Sequence, residues 1–296
     1  MGLLEAHAGL AGKVAVVVGG CGEIQGRAYT LALAKAGVHI AACDNHEDEV
    51  ASIVPEVEAL GVRIMAYHAD VADPAALDAF YDRVEQEFDH VDIVVNVPAN
   101  CKRSLFENST REDNARDIRM NYGYIIDSCR RAIPLLRKSG RGGSIINFTT
   151  IEAHRGAATF AVYAGAKAAT TNFSKALAVE LGADQIRINL IAPDTSPAKT
   201  SNGSLYPEDF ERIEKVGHDI LAQSSKIYVP LKRDPTVDDL ANGVLFLASD
   251  LSRSITGTTL HIDGGTSAAG GWLDWPLDSF MPAPLGGSMA RLARSD

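Results

Sequence analysis

Tyr163 and Lys167 stand four residues apart in the run YAGAK, and Thr150 precedes the tyrosine by thirteen positions. On a helix that spacing puts phenol and ammonium on one face. An ammonium beside a phenol favours the phenolate and lowers its pKa. A free tyrosine, near pKa 10, is a poor base at neutral pH, and lowering it by about three units takes roughly 4 kcal/mol of differential interaction. A neighbouring lysine and a further positive charge can supply that in a site shielded from water. Thr150 adds a hydroxyl to the set. Together these side chains can move a proton to or from an oxygen held between them. Alone, YxxxK is a weak signal, because Tyr and Lys fall at that spacing on many exposed helices.

The flanking sequence says how the three are positioned. Ser144 to Phe148 is a short apolar run after a glycine pair and reads as a strand, with Thr149 and Thr150 at its end. The stretch around Tyr163 is rich in alanine and reads as a helix. A strand-end hydroxyl thus meets a helix-borne phenol across one crevice.

The N-terminal part carries a second site. Lys13 to Val18 is a continuous apolar, β-branched run, as in a strand buried on both faces. GGCGEIQG (Gly19 to Gly26) follows, then a helical pattern that stops at Gly37. Strand, glycine-rich turn and helix in that order bind phosphates. The glycines admit a pyrophosphate, and the helix start offers N–H groups and a positive dipole end. Gly20, Gly22, Ile24, Gln25 and Gly26 are the candidate contacts. The next strand, Val38 to Cys43, ends at Asp44. That acid lies eighteen residues after Gly26, near the spacing expected of a ribose-binding acid.

Strands and helices alternate onward. Helix is expected over Glu47–Leu60, Pro74–Phe88, a long tract from about Arg111 to Lys138 that contains Asn121, and Val237–Ala248. Strands are expected over Arg63–His68, Asp92–Asn96, Arg187–Ile191 and Thr259–Ile262, with a short helix at Pro207–Leu221 inside a polar 195–229 segment. The alternation implies an α/β protein: a doubly wound parallel sheet of Rossmann type. Residues 1–266 read as one dinucleotide-binding catalytic domain and 267–296 as a C-terminal extension holding both tryptophans.

Composition excludes several classes. The chain has 296 residues, long enough for one large core, and no uninterrupted apolar run of about 18. The N-terminus lacks the charge and apolar pattern of a secretory leader. Four cysteines without CxxC spacing read as reduced thiols of a cytoplasmic protein. The eight histidines form no HxH or HExxH pair, so no metal site is expected. A net charge of −10 disfavours nucleic acid or an anionic membrane as partner.

With these landmarks in order, the chain resembles the short-chain dehydrogenase/reductase family, in particular its ketoacyl reductases and hydroxysteroid dehydrogenases. The resemblance spans about residues 10–266. It rests on the glycine turn, Asp44, Asp70-Val71, Val95-Asn96, Asn121, Thr150, Tyr163–Lys167, NLIAPD at Asn189–Asp194 and ITGTTLHIDGG at Ile255–Gly265. What it implies is an NAD(H) enzyme acting on a small-molecule alcohol or ketone, assembled as a homotetramer or homodimer. Tyr163 would be the general acid/base. Lys167 would lower its pKa and hold the nicotinamide ribose. Asn121 would help hold a relay water, and Thr150 would bond the substrate oxygen. Asp70, Val71, Asn96, Pro193 and Ser196 would join the glycine turn and Asp44 around the cofactor.

Four departures from the family pattern stand out. In the turn, counting from Gly20 puts Ile24 where the middle glycine is usual; counting from Gly19 inserts one residue and gives that work to Gly22. Thr150 replaces the usual Ser, adding a methyl that fixes its rotamer. Asn96-Val97-Pro98-Ala99 stands for NNAG, which stiffens that turn. Ala198 stands where a carboxamide-binding Thr is usual, with Thr195, Ser196 and Thr200 nearby as substitutes.

Two further functions compete with alcohol/ketone oxidoreduction: a redox-silent binding protein on the same fold, and a dehydratase or epimerase that keeps its NAD bound. The substrate walls are expected from Ala99, Ile151, Glu152, His154, Phe160, Tyr206 and Phe210, a mainly apolar set without an Arg or Lys cluster. They suit a bulky apolar substrate such as a steroid, terpenoid or aromatic, with carrier-bound acyl groups as the alternative. The aromatic-bearing tail is expected to reach a subunit interface.

Overall fold

The computed structural model describes residues 7–22, 24–194, 225–275 and 279–282. Among these, seven strands form one parallel sheet in the order β3-β2-β1-β4-β5-β6-β7. They are β1 (Val14–Val18), β2 (His39–Asp44), β3 (Ile64–His68), β4 (Ile93–Asn96), β5 (Gly143–Phe148), β6 (Ile186–Pro193) and β7 (Thr259–Ile262). The strand order reverses between β1 and β4, and a crevice opens there beyond the carboxyl ends of the strands.

The β-branched run of β1 is buried at every position because helices cover both faces of the sheet. Val14, Val16 and Val18 join one core with Leu77, Phe80, Tyr81, Leu135 and Leu136. Those residues come from α3 (Pro74–Glu87) and α5 (Tyr124–Lys138). Ala15 and Val17 face the opposite core, with Tyr29 and Leu33 of α1 (Gln25–Lys35) and Val244 and Leu247 of α7 (Val237–Ala248). The alternation is the pleat's period of two. The helix α2 (Glu47–Glu58) follows β2 and packs on β3.

The long helical tract expected over Arg111–Lys138 forms over that range but is not α-helical throughout. It divides into α4 (Arg111–Ile118), one π-helical turn at Arg119–Gly123, and α5. The wider turn carries Asn121, and such turns often mark functional positions. The Ala-rich helix α6 (Ala161–Glu180) carries Tyr163 and Lys167 as expected.

After β7 comes a short helix, α8 (Thr266–Ala269). An antiparallel pair, β8 (Trp272–Trp275) and β9 (Ser279–Pro282), then stands apart from the main sheet. This hairpin was not foreseen. Trp272 and Phe280 are both more than half exposed, while Lys232 pairs with Asp274 at 2.5 Å. The expected helix at Pro207–Leu221 lies outside the described residues, as does the tail beyond residue 282.

Candidate active site

The cofactor-side cavity has a volume of about 600 Å³ and sits at the strand-order reversal. Gly19, Gly22, Ile24, Gln25, Gly26, Asp44, Asp70 and Val71 all line it. Two glycines are sterically required. A Cβ on Gly26 would fall 1.7 Å from the Gly19 carbonyl oxygen. Gly19 itself has φ of +71°, and a Cβ there would strike the Pro98 ring at 2.6 Å. The proline of the altered Asn96–Ala99 turn thus packs directly on the glycine turn.

Ile24 occupies the N-cap of α1 and lines the cavity. Gly22 lines it as well, so the residues that both ways of counting put at the middle position face the cavity. Gly20 does not itself line the cavity: its carbonyl accepts a bond from Thr30 Oγ1 at 2.7 Å, and its Cα is packed against Val17.

Asp44 ends β2 and lies 9% exposed. Its Oδ2 accepts from the Gly22 amide, and its Oδ1 from the Asn45 amide, each at 2.9 Å. The carboxylate is therefore clamped to the glycine turn with its outer lone pairs toward the cavity. His46 Nδ1 lies 3.3 Å from Oδ1. Glu49 adds a second carboxylate to the wall, and Arg27 pairs with Glu49 and Glu56.

Asn96 takes a different role from the one the family resemblance implies. It is fully buried and does not line the cavity. The β4–β5 register sets it opposite Asn147. Its amide nitrogen donates to Asn147 Oδ1 at 2.8 Å, and its Oδ1 accepts from Ser128 Oγ at 2.7 Å. Both polar ends are used inside the protein, so Val97 to Asn100 form the wall instead. Pro193 ends β6 away from this cavity, and Ser196 lies outside the described residues.

The four expected catalytic residues gather at the carboxyl end of β5. Lys167 is 1% exposed and donates from Nζ to the Phe148 carbonyl at 2.9 Å. Its Nζ stands 6.0 Å from the centre of the Tyr163 ring. Thr149 Oγ1 bonds Thr171 and the Lys167 carbonyl, which fixes the junction of β5 and α6. Asn121 is fully buried; its Nδ2 donates to the Asn100 carbonyl at 2.5 Å and to the Asp117 carbonyl at 2.8 Å. Its own carbonyl accepts from Thr170 at 2.7 Å. Asn121 Oδ1 is a buried acceptor with no partner among the described residues. Tyr163 opens on a separate small cleft of about 10 Å³ with Cys101, Asp117 and Phe160, so the large cavity does not yet include it.

Charge at this site departs from expectation. Burial pushes the Tyr163 phenol up, and the nearby Glu152 carboxylate pushes it further, while the neighbouring Thr150 hydroxyl lowers it. Burial pushes Lys167 down to about 7. The sequence pattern predicted an ammonium lowering the phenol. In the folded chain Lys167 donates to the Phe148 carbonyl, and the charged neighbour that acts on the phenol most is Glu152.

The substrate walls also differ. Phe160 lines the small cleft with its ring centre 5.8 Å from that of Tyr163, whereas Ile151 is buried and lines none of the cavities described. His154 faces His261 with ring centres 5.1 Å apart. Ala99 belongs to the cofactor-side cavity, and Tyr206 and Phe210 lie outside the described residues. Arg155 was missed. It pairs with Glu152 at 2.8 Å and with Asp194 at 3.5 Å, residues that only the folded chain brings together.

A parallel sheet with a glycine turn, a strand-end acid, and Thr150, Tyr163 and Lys167 at one crevice fits a nicotinamide dinucleotide. The family model described as enoyl-(acyl carrier protein) reductase matches residues 25–267. The chain belongs to the short-chain dehydrogenase/reductase family. It is 31% identical to the 2,3-dihydro-2,3-dihydroxybenzoate dehydrogenase of Bacillus subtilis, over 88% of this chain and 97% of that one. It is 29% identical to the 3-oxoacyl-(acyl-carrier-protein) reductase of Thermotoga maritima, over 86% and 98%. Among solved structures, carveol dehydrogenase from Mycobacterium avium in complex with NAD is similar at a TM-score of 0.77. That match has 27% identity and covers 86% of this chain and 98% of the other. As a member of the short-chain dehydrogenase/reductase family, this protein is an oxidoreductase that takes a nicotinamide cofactor and a small-molecule substrate. Among the described residues no helix is long and apolar enough to cross a membrane.

Proposed function

We propose that the chain is an NAD(H)-dependent oxidoreductase interconverting a secondary alcohol and its ketone on a bulky, mainly apolar skeleton. The observation that carries this reading is the convergence of Thr150, Tyr163 and Lys167 on one crevice beside a cavity walled by Asp44. Gly22, Ile24, Gln25 and Gly26 would hold the pyrophosphate at the start of α1, and Asp44 the adenosine ribose hydroxyls. Asp70 and Val71 would flank the base. The nicotinamide supplies the hydride acceptor or donor.

Tyr163 holds and moves the proton at the substrate oxygen. With its pKa raised the phenol stays protonated and carries the proton a ketone would take; serving as base toward an alcohol requires added positive charge nearby. Lys167, poised at about 7, can carry that charge at neutral pH. Thr150 fixes the oxygen beside Tyr163. Asn121, through its unpartnered Oδ1, offers an acceptor behind Lys167 for a water.

Asp44 also selects the cofactor. Its carboxylate, with Glu49 beside it, repels a 2′-phosphate. The kcat/KM with NAD(H) should exceed that with NADP(H) by about tenfold or more, equivalent to about 1.4 kcal/mol. Equal or better use of NADP(H) overturns the cofactor assignment.

Phe160, beside Tyr163 in the small cleft, supports an apolar skeleton, as does the likeness to carveol dehydrogenase. A second reading, a 3-ketoacyl reductase, is favoured by the Thermotoga maritima relative, and the matched family's description also names a carrier-bound acyl substrate. Turnover of an acyl thioester in preference to ring ketones would select it. The exposed aromatics of the β8–β9 hairpin support a homotetramer or homodimer, which light scattering on the full chain reads directly.

A further inference from the structure

The substrate side of the crevice holds a buried carboxylate that the proton chemistry of Tyr163 does not require. Glu152 lies two residues past Thr150, in the 3-10 turn Ile151–Ala153 that follows β5, and is 6% exposed. Its Oε1 accepts from Arg155 Nη2 at 2.8 Å. Its Oε2 accepts from Thr150 Oγ1. Arg155 in turn is held by the Tyr228 hydroxyl at 3.0 Å and by Asp194 Oδ1 at 3.5 Å, and Tyr228 donates to Asp194 Oδ2 at 2.9 Å. This is a braced ion pair, not a side chain free to swing out. Burying a carboxylate is costly unless it is paired and bonded, and this one is both.

The bond to Thr150 constrains the site. A carboxylate only accepts, so the proton in that bond is the one proton Thr150 has. While it points at Glu152, Thr150 can offer only lone pairs elsewhere. In the resting arrangement Thr150 donates to Glu152. Yet an oxygen gaining negative charge at the reacting carbon needs a donor from Thr150. The proton of Thr150 is available for that purpose only when another donor occupies Glu152.

We infer that Glu152 is a specificity-determining residue that accepts a second substrate hydroxyl, one borne next to the reacting carbinol, so that the preferred substrates are vicinal diols and their hydroxyketones. This rests on the reading of Thr150 and Tyr163 as the alcohol/ketone site. The second hydroxyl donates to Glu152 Oε2 and keeps its proton throughout; it takes no part in the oxidation. Thr150 then turns its proton to the reacting oxygen. A simple alcohol reaches Tyr163 but leaves Thr150 facing Glu152. Arg155, fixed by Tyr228 and Asp194, holds the carboxylate in place for this exchange. A site built to bond a hydroxyl discriminates strongly against the analogue that lacks it, because its own buried group is left unpaired.

Two probes on one skeleton test this: cis-1,2-indanediol and 1-indanol, titrated by calorimetry into the protein with NADH present. The diol should bind the unaltered protein about tenfold or more tightly than 1-indanol. With NAD as oxidant, the same order should appear in kcat/KM. Glu152→Gln keeps the shape and an acceptor for Arg155, and should bring the binding ratio to within about twofold. Glu152→Asp should keep part of the preference. Equal binding of the two probes by the unaltered protein overturns the inference, whether or not any variant folds. So does a diol preference that survives Glu152→Gln intact. Failure of the alcohol/ketone reading looks different: neither probe, nor the corresponding ketones, would be turned over with either cofactor, while the binding ratio is still measured.

Discussion

Two buried polar clusters flank β5 and differ in kind. Toward β4, Asn96, Asn147, Ser128, Tyr81 and Ser174 form an uncharged network. Ser128 Oγ donates to Asn96 and meets the Tyr81 hydroxyl at 2.7 Å, while Asn147 donates to Ser174 at 2.9 Å. Toward α6, the Tyr163 crevice is charged, holding Glu152, Arg155, Asp117 and Lys167. Asn121 Oδ1 and Asp117 Oδ1 lack partners there among the described residues. Burial raises Asp117 and lowers Lys167, so the crevice also opposes its own charges. A satisfied neutral network fixes strand register and rigidifies the core. Unsatisfied acceptors and perturbed charges are what a site keeps in reserve for a ligand. Between these two clusters, depth of burial therefore does not separate scaffold from site; satisfaction does.

The strongest way to break that contrast is Tyr163→Phe. The ring and its contact with Phe160 survive, and the proton-carrying atom goes. Turnover should fall about 10²–10⁴-fold, the usual worth of a positioned acid/base. Binding of NADH, followed by its fluorescence, should change by less than about twofold. A Tyr163→Phe protein that keeps its turnover would mean that the acid/base has been misassigned.

Ser128→Ala probes the other cluster. It removes the donor to Asn96 Oδ1 and leaves the Tyr81 hydroxyl without that partner, both in the dry interior. Each unsatisfied group costs about 1–3 kcal/mol. For a domain of this length Tm should drop by several degrees. The kcat/KM should stay within about twofold of the parent. A Ser128→Ala protein of unchanged Tm but damaged turnover would erase the distinction between the clusters.

The scaffold was easier to read in the sequence than the site. Val14–Val18, Val237–Ala248 and Thr259–Ile262 announce themselves by continuous β-branched runs or by helical period, because both signals are local. The glycine turn, Asp44, Thr150, Tyr163 and Lys167 were legible for the same reason: spacing along one strand or helix end fixes them. The π-turn at Arg119–Gly123 was not, since no local composition distinguishes it from continuous helix. Asn96 looked like a cavity residue because its partner Asn147 is fifty-one positions away. Arg155 was passed over because Asp194 and Tyr228, which hold it, lie thirty-nine and seventy-three positions along the chain. The charge of the crevice failed most instructively. Four-residue spacing places Lys167 near Tyr163 but does not say that its Nζ turns to the Phe148 carbonyl.

The smallest expected effect concerns that lysine and is read as stability against pH. Burial pushes Lys167 down to about 7 in the folded chain, whereas an unfolded lysine titrates at about 10.4. Between those values the unfolded chain holds a proton that the folded chain has released. Stability rises with pH wherever the unfolded state binds more protons, so this group's contribution grows from about pH 7 upward. Below about 7 both states are protonated, and the full cost of burying the ammonium is present. Tyr163 acts in the opposite sense above about pH 10. There the unfolded phenol ionises while burial and Glu152 keep the folded one protonated, so stability falls again. From pH 7 to pH 9 the four buried cysteines oppose this gain, because burial holds their thiols protonated while the unfolded ones ionise, so the lysine's share is read, without cofactor, against a variant that cannot titrate. Lys167→Met keeps most of the buried volume and cannot titrate. It also loses the bond to Phe148, but that loss does not vary with pH, so the slope carries the test. The difference in Tm between parent and Lys167→Met should widen steadily in the parent's favour across that interval. Parallel curves would mean that Lys167 stays charged at neutral pH, and the crevice would then be as settled as the network on the other side of β5.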